Sequence, residues 1–158
     1  REIPPLDYGL VHRMKARFPE LAISLNGGIS SLREAEDHLR NGLDGVMIGR
    51  AAYHDPALLG SADREIFGVN AATVTPETAI EAMLPYIQAE RAAGTPLHAI
   101  TRHMLGAFRA RPGARAWRRT LSQEALRPGA GVEVVQAALR LVAPVEKAAP
   151  EQCVSVPA

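Results

Sequence analysis

Cysteine is almost absent from this sequence, with Cys153 the only one among 158 residues. A single cysteine cannot form an internal disulfide, and no metal-ligating residues cluster around it. We interpret it as a free thiol in a frayed C-terminal segment and favour this over a catalytic nucleophile. This cysteine usage is typical of a reducing compartment, so we expect a cytoplasmic protein.

Long apolar runs and aromatic residues are also scarce. Apolar residues make up 47 % of the chain, yet none of their runs approaches the roughly 20 residues of a membrane span. Aromatic residues make up 4 %, so we expect cores of Leu, Ile, Val and Ala. Residues 1–6 lack an initiator methionine and a signal-peptide core, and we interpret them as a chain entered midway. No membrane or protein partner is indicated, and we expect a monomer.

Acidic residues are nearly missing from residues 101–128, although the net charge of the chain is only +1. Glu124 is the one acid in that window, against seven arginines. The arginines are Arg102, Arg109, Arg111, Arg115, Arg118, Arg119 and Arg127. Because the window lacks acids, salt bridges within it cannot account for the charge. We therefore expect a local cationic surface.

The first third of the chain alternates between predicted helices and strands. Apolar residues recur at helical spacing over residues 8–17 and again in a segment capped by Ser30 or Ser31. Residues 21–25 and 44–48 are short apolar runs followed by glycine, which is typical of buried strands. This alternation predicts an α/β fold with a parallel sheet or barrel.

The remainder of the chain is predicted to be helical. Four segments with helical spacing are separated by loops that contain glycine or proline: 75–92, 97–108, 114–125 and 132–142. Four helices with short loops predict an all-α bundle. We thus expect an α/β part over 1–67, a helical domain over 73–145 and a disordered tail over 146–158.

Two glycine motifs follow the two predicted strands. They are Asn26-Gly27-Gly28 and Gly49-Arg50. Glycine lets backbone amides approach an anion, and the following helix directs its positive end at the same place. Arginine matches phosphate oxygens, and Asn26 adds a side-chain amide. Either motif alone is a common turn. Together, one helix apart, they predict a phosphate-bearing ligand at the edge where α/β barrels commonly bind phosphate.

The third predicted helix of the bundle carries a basic face. Arg115, Arg118 and Arg119 are spaced i, i+3 and i+4, which places them on one side of a helix, whereas Trp117 is expected to pack inside. A solvated arginine face is the simpler alternative, but the scarcity of acids favours nucleic acid. Few aromatic residues accompany the arginines, which argues against single-strand stacking and favours backbone recognition of structured RNA.

No catalytic or metal site can be assembled from the sequence. His12, His38, His54 and His98 are dispersed without metal-ligand spacing. No nucleophile with a base and no paired carboxylates stand at useful spacing. We predict no metal and no catalytic residue in this chain.

Several motifs, in order along the chain, resemble those of the A subfamily of tRNA-dihydrouridine synthases. They are REIPPLDY at 1–8, NGGI at 26–29, DGVMIGRAAY at 44–53, DREIFG at 63–68, RHMLG at 102–106, and PGARAWRR at 112–119 with LS at 121–122. The resemblance covers about residues 1–142. Taken together the motifs are highly specific.

The resemblance implies an FMN-binding (β/α)8 TIM barrel, of which this chain is the C-terminal part, followed by a helical tRNA-binding domain. The family reduces uridine to 5,6-dihydrouridine in the tRNA D-loop, at positions 20 and 20a in this subfamily, with NADPH as reductant. The residues implied to hold the FMN phosphate are Asn26, Gly27, Gly28, Gly49 and Arg50. Those implied to contact tRNA are Arg1, Arg115 and Arg118, with Arg119 on the same helical face.

The resemblance also implies what this chain lacks. A full barrel needs about 250 residues, and the family's catalytic cysteine belongs to the part before Arg1. We therefore expect the chain to position cofactor and RNA and to be inactive alone. Two other interpretations stay open: another FMN- or phosphate-binding TIM-barrel oxidoreductase with a small-molecule substrate, and a non-catalytic helical RNA-binding module.

Overall fold

A computed structural model describes residues 6–142 of the chain. The predictions for Arg1 and for the tail over 146–158 lie outside the described residues. Within them the protein is a helix-rich α/β structure, with two strands in the first part and mainly helices after residue 75.

The first part begins with four regular elements that agree in type and order with the sequence pattern. They are α1 (Tyr8–Arg17), β1 (Ser24–Asn26), α2 (Leu32–Arg40) and β2 (Gly45–Met47). Asp7 caps α1 by accepting from the Leu10 amide, and Ser31 caps α2 by accepting from the Glu34 amide. Side-chain caps of this kind satisfy amides that lack a partner in the first helical turn.

Short helices follow β2 and lead to the second part. They are α3 (Arg50–His54), a 3-10 helix (Pro56–Ser61) and α4 (Ala62–Glu65). The chain then runs without regular structure to Thr75.

The two strands lie side by side and parallel, with Leu25 opposite Val46. Each has three residues, so the predicted strands over 21–25 and 44–48 were too long, and the first was placed too early. The expectation that both are buried was also wrong, because only Leu25 is buried. Each strand has a single neighbour among residues 6–142, so its other edge and much of its surface are uncovered.

A small apolar core holds the first part together. Its buried residues are Leu25, Ile29, Ala35 and Leu43. Partly buried side chains from α1 and from the strands, such as Val11 and Val46, pack against them. The core therefore lies between the two strands and the helices α1 and α2.

The second part is helical. Its elements are α5 (Pro76–Ala92), α6 (Leu97–Thr101), α7 (Ala114–Gln123), a 3-10 helix (Glu124–Leu126) and α8 (Val132–Leu139). Thr75 caps α5, and Pro76 occupies its first turn as predicted.

Three of the four predicted helices end earlier than expected. The prediction of one helix over 97–108 was wrong beyond Thr101, because residues 102–113 form successive turns. The amides of His103, Met104 and Ala107 donate to the carbonyl three residues earlier, as in a tight turn, and not four residues earlier as in an α-helix. The fourth helix ends at Leu139 instead of 142, and the third ends at Gln123 in a 3-10 turn.

A larger core lies among these helices, centred on Trp117. The indole is fully buried, donates from Nε1 to the Met104 carbonyl at 3.1 Å, and meets Phe108 edge-on with centroids 4.9 Å apart. Ile87, Leu97 and other apolar side chains surround the pair. The buried residues of this core are distinct from those of the first one. The boundaries at 67, 73 and 145 stay predictions.

Candidate functional site

The five residues predicted to bind a phosphate come together at one cavity. Asn26, Gly27 and Gly28 follow β1, Gly49 and Arg50 follow β2, and all five line an open cavity of about 580 Å³. The strands are parallel, with Asn26 opposite Met47. Their carboxyl ends therefore meet at one edge, which is why motifs separated by a helix become neighbours.

The turn after β1 can be built only from glycine. Gly27 and Gly28 have φ angles of 144° and 72°, a region that other residues rarely adopt. A β-carbon on Gly28 would lie 2.6 Å from Oη of Tyr8 and 2.6 Å from the side chain of Leu6. The bare backbone of this turn can therefore approach an anion closely.

Tyr8 holds the turn from behind. Its hydroxyl donates to the carbonyl oxygen of Gly27 at 2.9 Å. The bond engages a carbonyl that would otherwise be free to face a bound anion. Sequence reasoning missed this role, because the contact spans 19 residues and no local pattern signals it.

The start of α2 contributes less than predicted. Ser31 Oγ accepts from the Glu34 amide at 3.1 Å, and Glu34 Oε2 accepts from the Ser30 amide at 2.9 Å. This reciprocal capping box uses two of the amides that the helix could offer. The expectation that this end of α2 serves an anion is therefore wrong for the amides of Ser30 and Glu34. The glycine turn and the side chains around the cavity remain as hydrogen-bond donors for a ligand.

Two arginines face the same cavity. Arg50 lines it from the start of α3, and Arg109 lines it from the turn before α7. Both are exposed, and neither has an ion pair with another residue of the described chain. One carboxylate, that of Asp55, also lines the cavity. Two guanidiniums beside a glycine turn suit a phosphate monoester, because each can form paired hydrogen bonds to its oxygens.

A second, more open cavity of about 680 Å³ lies next to the first. Its lining includes Tyr53 and His54 from α3 and three arginines from the helical part, Arg102, Arg109 and Arg118. Arg109 lines both cavities. The second cavity therefore extends the cationic surface from the glycine turn toward α7.

His103 lies beside this cavity between two partners. Arg102 Nε donates to its Nε2 at 2.9 Å, and its Nδ1 lies 3.1 Å from Oη of Tyr53. Because a guanidinium can only donate, Nε2 is the acceptor, which assigns the proton of the neutral imidazole to Nδ1. The contact between Tyr53 and His103 links α3 to the turn after α6.

The basic face of α7 has the predicted geometry. Arg115, Arg118 and Arg119 are all exposed, whereas Trp117 on the same helix is fully buried. None of the three arginines has an ion pair within residues 6–142. These three residues form the α7 arginine face.

Two arginines of the basic window, Arg111 and Arg127, have carboxylate partners, which lowers the net positive charge of this surface. Arg127 pairs with Glu124 at 2.5 Å, and Arg111 pairs with Glu77 of α5 at 2.5 Å. Glu77 lies outside the window in sequence, so a count of local charges cannot reveal this partner. The Arg111 guanidinium beside Glu77 lowers the pKa of that carboxyl below its ordinary value of 4.5.

No group of three or more histidine, cysteine or acidic side chains within residues 6–142 is arranged to hold a metal ion. None of the helices in that range is both long and apolar enough to cross a membrane.

The geometry defines a class of protein: an α/β unit with a glycine turn and exposed arginines at the edge of parallel strands, joined to a helical unit with an exposed arginine face. The family model described as dihydrouridine synthase (Dus) matches residues 1–143. Since the match covers most of the sequence, this chain belongs to the dihydrouridine synthase family, which confirms the resemblance noted from its motifs.

Three curated relatives show how much of such a protein the chain represents. It is 54 % identical over 144 residues to tRNA-dihydrouridine(20/20a) synthase of Yersinia pestis, covering 91 % of this chain and 41 % of the relative. It is 54 % identical over 143 residues to the protein of that name from Salmonella typhimurium, covering 90 % and 43 %. It is 53 % identical over 143 residues to the tRNA-dihydrouridine(20/20a) synthase of Escherichia coli K12, and the match covers 90 % of this chain and 41 % of the relative. The chain thus spans about two fifths of the length of the curated relatives it matches.

Proposed function

We propose that the protein containing this chain is an FMN-dependent tRNA-dihydrouridine synthase. It reduces uridine to 5,6-dihydrouridine in the tRNA D-loop, at positions 20 and 20a, with NADPH as reductant. Family membership and the names of the relatives support this proposal. Within it, the present chain supplies the FMN-phosphate site and the tRNA-binding helical domain.

The cavity at the strand ends is the observation that carries the proposal. It joins a glycine turn to a free guanidinium at the edge where parallel α/β proteins bind phosphate groups. We propose that Gly27, Gly28 and Gly49 present backbone to the phosphate, that Asn26 donates from its side-chain amide, and that Arg50 forms the charge-assisted bonds. In this view β1 and β2 are the last strands of a TIM barrel.

FMN, when bound, supplies the hydride that reduces the uracil ring. The residues of this chain act around that step. They anchor the phosphate end of the cofactor and orient the RNA, which keeps the reacting groups in register. We assign no catalytic role to any residue in the described chain.

The α7 arginine face is the proposed contact for tRNA. Three exposed guanidiniums on one side of a helix can neutralise several backbone phosphates without reading bases. Arg102, which lines the second cavity together with Arg118, extends the same charge. Arg1 belongs to this proposal through the family resemblance and lies outside the described residues.

Two measurements on the full gene product test the function. Purified protein should carry a yellow chromophore that chromatography identifies as FMN, and NADPH oxidation under anaerobic conditions should depend on tRNA lacking dihydrouridine. A flavoprotein that oxidises NADPH with a small enone and ignores tRNA would instead be a different barrel oxidoreductase. A protein that binds tRNA and no flavin would be an RNA-binding module.

A further inference from the structure

Arg109 belongs to the helical part of the chain, yet it lines the cavity formed by the strand ends. We propose that Arg109 is a second cation for the FMN phosphate, supplied from the helical part while Arg50 acts from the α/β part. This inference rests on the proposed function, because it concerns the same cofactor.

Close packing between the two parts brings Arg109 to the cavity. Gly106, three residues before Arg109, lies against the end of α3. A β-carbon on Gly106 would stand 2.5 Å from the carbonyl oxygen of His54 and 3.3 Å from that of Tyr53. Since α3 begins at Arg50 and ends at His54, the turn that carries Arg109 is fixed directly on the helix that carries Arg50.

The residues on either side of Arg109 are anchored in the helical core. Phe108 is fully buried against Trp117. Arg111 pairs with Glu77 and stacks over the Phe108 ring at 5.2 Å. Between these anchors Ala110 adopts a φ of 60°, which is uncommon for a residue other than glycine. Such a conformation persists only when its surroundings hold it, and it often marks a functional segment.

Charge balance also favours a second cation. A phosphate monoester carries between one and two negative charges near neutral pH, with a second pKa of about 6. Arg50 alone neutralises only part of that negative charge, and the carboxylate of Asp55, which lines the same cavity, repels the phosphate. Arg109 has no ion pair within residues 6–142, so its guanidinium is available to balance the second charge.

RNA phosphate is the competing ligand, because Arg109 also lines the neighbouring cavity with Arg102 and Arg118. The first cavity suits a phosphate group beside Arg109 better than the second cavity does. There a cation stands beside Gly27 and Gly28, whose backbone can approach an anion, whereas the lining of the second cavity includes no such turn. We therefore assign Arg109 to the cofactor.

Flavin titrations of the full gene product test this assignment. FMN and riboflavin differ only in the phosphate, so a residue that contacts the phosphate affects the affinity for FMN alone. We expect Arg109→Ala to weaken FMN binding by about tenfold or more, in line with a lost charge-assisted hydrogen bond, and to leave riboflavin binding unchanged. Arg109→Lys should recover part of the loss. Arg140→Ala, which removes an exposed arginine that lines neither cavity, is the matched control.

Each other outcome overturns a defined claim. Unchanged FMN affinity in Arg109→Ala with weaker tRNA binding would assign the residue to RNA and sink the inference. Equal losses for FMN and riboflavin would indicate a structural role and also overturn it. A wild-type protein that binds FMN no better than riboflavin would contradict the phosphate site itself, and the proposed function would fail with it.

Discussion

The hydroxyl of Tyr8 donates a 2.9 Å hydrogen bond to the carbonyl oxygen of Gly27. The bond joins the first turn of α1 to the glycine turn after β1, and the same hydroxyl lies where a side chain on Gly28 would have to stand. The shape of the glycine turn therefore depends on a helix that precedes it in sequence.

Replacing Tyr8 with phenylalanine should loosen this turn without unfolding the protein. The change removes one partly buried hydrogen bond, which contributes about 1 kcal/mol. We expect a loss of FMN affinity of roughly fivefold, measured by fluorescence titration. Tyr86→Phe is the control, since Tyr86 is exposed on α5. If both variants bind FMN like the wild type, Tyr8 does not position the turn.

Adding a methyl group at Gly106 should force the two parts of the chain apart. The new β-carbon would meet the backbone of His54, which has no rotamer to move out of the way. We expect Gly106→Ala to lower the free energy of unfolding by about 1–3 kcal/mol, as overpacking does. Chemical denaturation measures the effect.

The control for this change is Gly9→Ala in α1. There the added β-carbon would meet no backbone atom, only Nη1 of Arg13 at 3.1 Å and Oδ1 of Asp7 at 3.2 Å. Alanine also favours helix over glycine by up to about 1 kcal/mol. A Gly106→Ala protein as stable as Gly9→Ala would show that the contact with α3 is not tight.

Removing the α7 arginine face should weaken tRNA binding and leave flavin content unchanged. The variant replaces Arg115, Arg118 and Arg119 with alanine. Tighter binding through phosphate contacts gives a steeper slope of log affinity against log salt concentration. Each lost contact should reduce the magnitude of that slope by slightly less than about one. The triple variant should therefore bind less tightly and respond less to salt than the wild type.

A control variant, in which three other arginines are replaced with alanine, changes the net charge by the same amount. It replaces three exposed arginines elsewhere in the described chain: Arg33, Arg64 and Arg140. Filter binding at several salt concentrations compares the two. Equal losses of affinity would mean that total charge matters and the position of the face does not.

The ion pair between Glu77 and Arg111 predicts a pH dependence of stability. The pKa of Glu77 is lower in the folded protein than its ordinary value of 4.5, first because of the hydrogen bond from Arg111. A depressed acid pKa contributes stability that is fully present above the unfolded value and is lost as the pH falls through the folded value. Glu77→Gln should be less stable than the wild type at pH 7, and the difference should shrink below about pH 4.5.

Glu81→Gln is the comparison, because Glu81 is exposed on the same helix and has no ion pair within the described residues. Its stability difference from the wild type should stay small across this range. Urea midpoints at pH 7 and near pH 3 provide the measurement. A pH-independent difference for Glu77→Gln would contradict a role for its charge.

Local patterns predicted the type and order of α1, β1, α2, β2 and α5, but they did not predict the short helices over 50–65. Caps at Asp7, Ser31 and Thr75 and the apolar spacing after them located α1, α2 and α5 within a few residues. The strand-end glycines were found in the same way, because a left-handed turn is a property of the residues that form it.

Contacts between distant residues were not predictable from these patterns. The expected helix over 97–108 stops at Thr101, and tertiary packing at Gly106 and Phe108 replaces the local preference of the following residues. For the same reason, local patterns did not predict that Tyr8 and Arg109 lie at the site, since both are distant in sequence from the glycine turn. It also hid Glu77, whose pairing with Arg111 removes one arginine from the free charge of the basic window.

We propose that the protein containing this chain reduces uridine in tRNA with a flavin held at the strand ends. Mass spectrometry of tRNA isolated without dihydrouridine and incubated with the full gene product, FMN and NADPH tests this proposal. We expect a gain of two hydrogens at positions 20 and 20a, and a much slower gain with Arg50→Ala at low FMN than at high FMN. Unmodified uridine at both positions, with FMN bound and NADPH present, would contradict it.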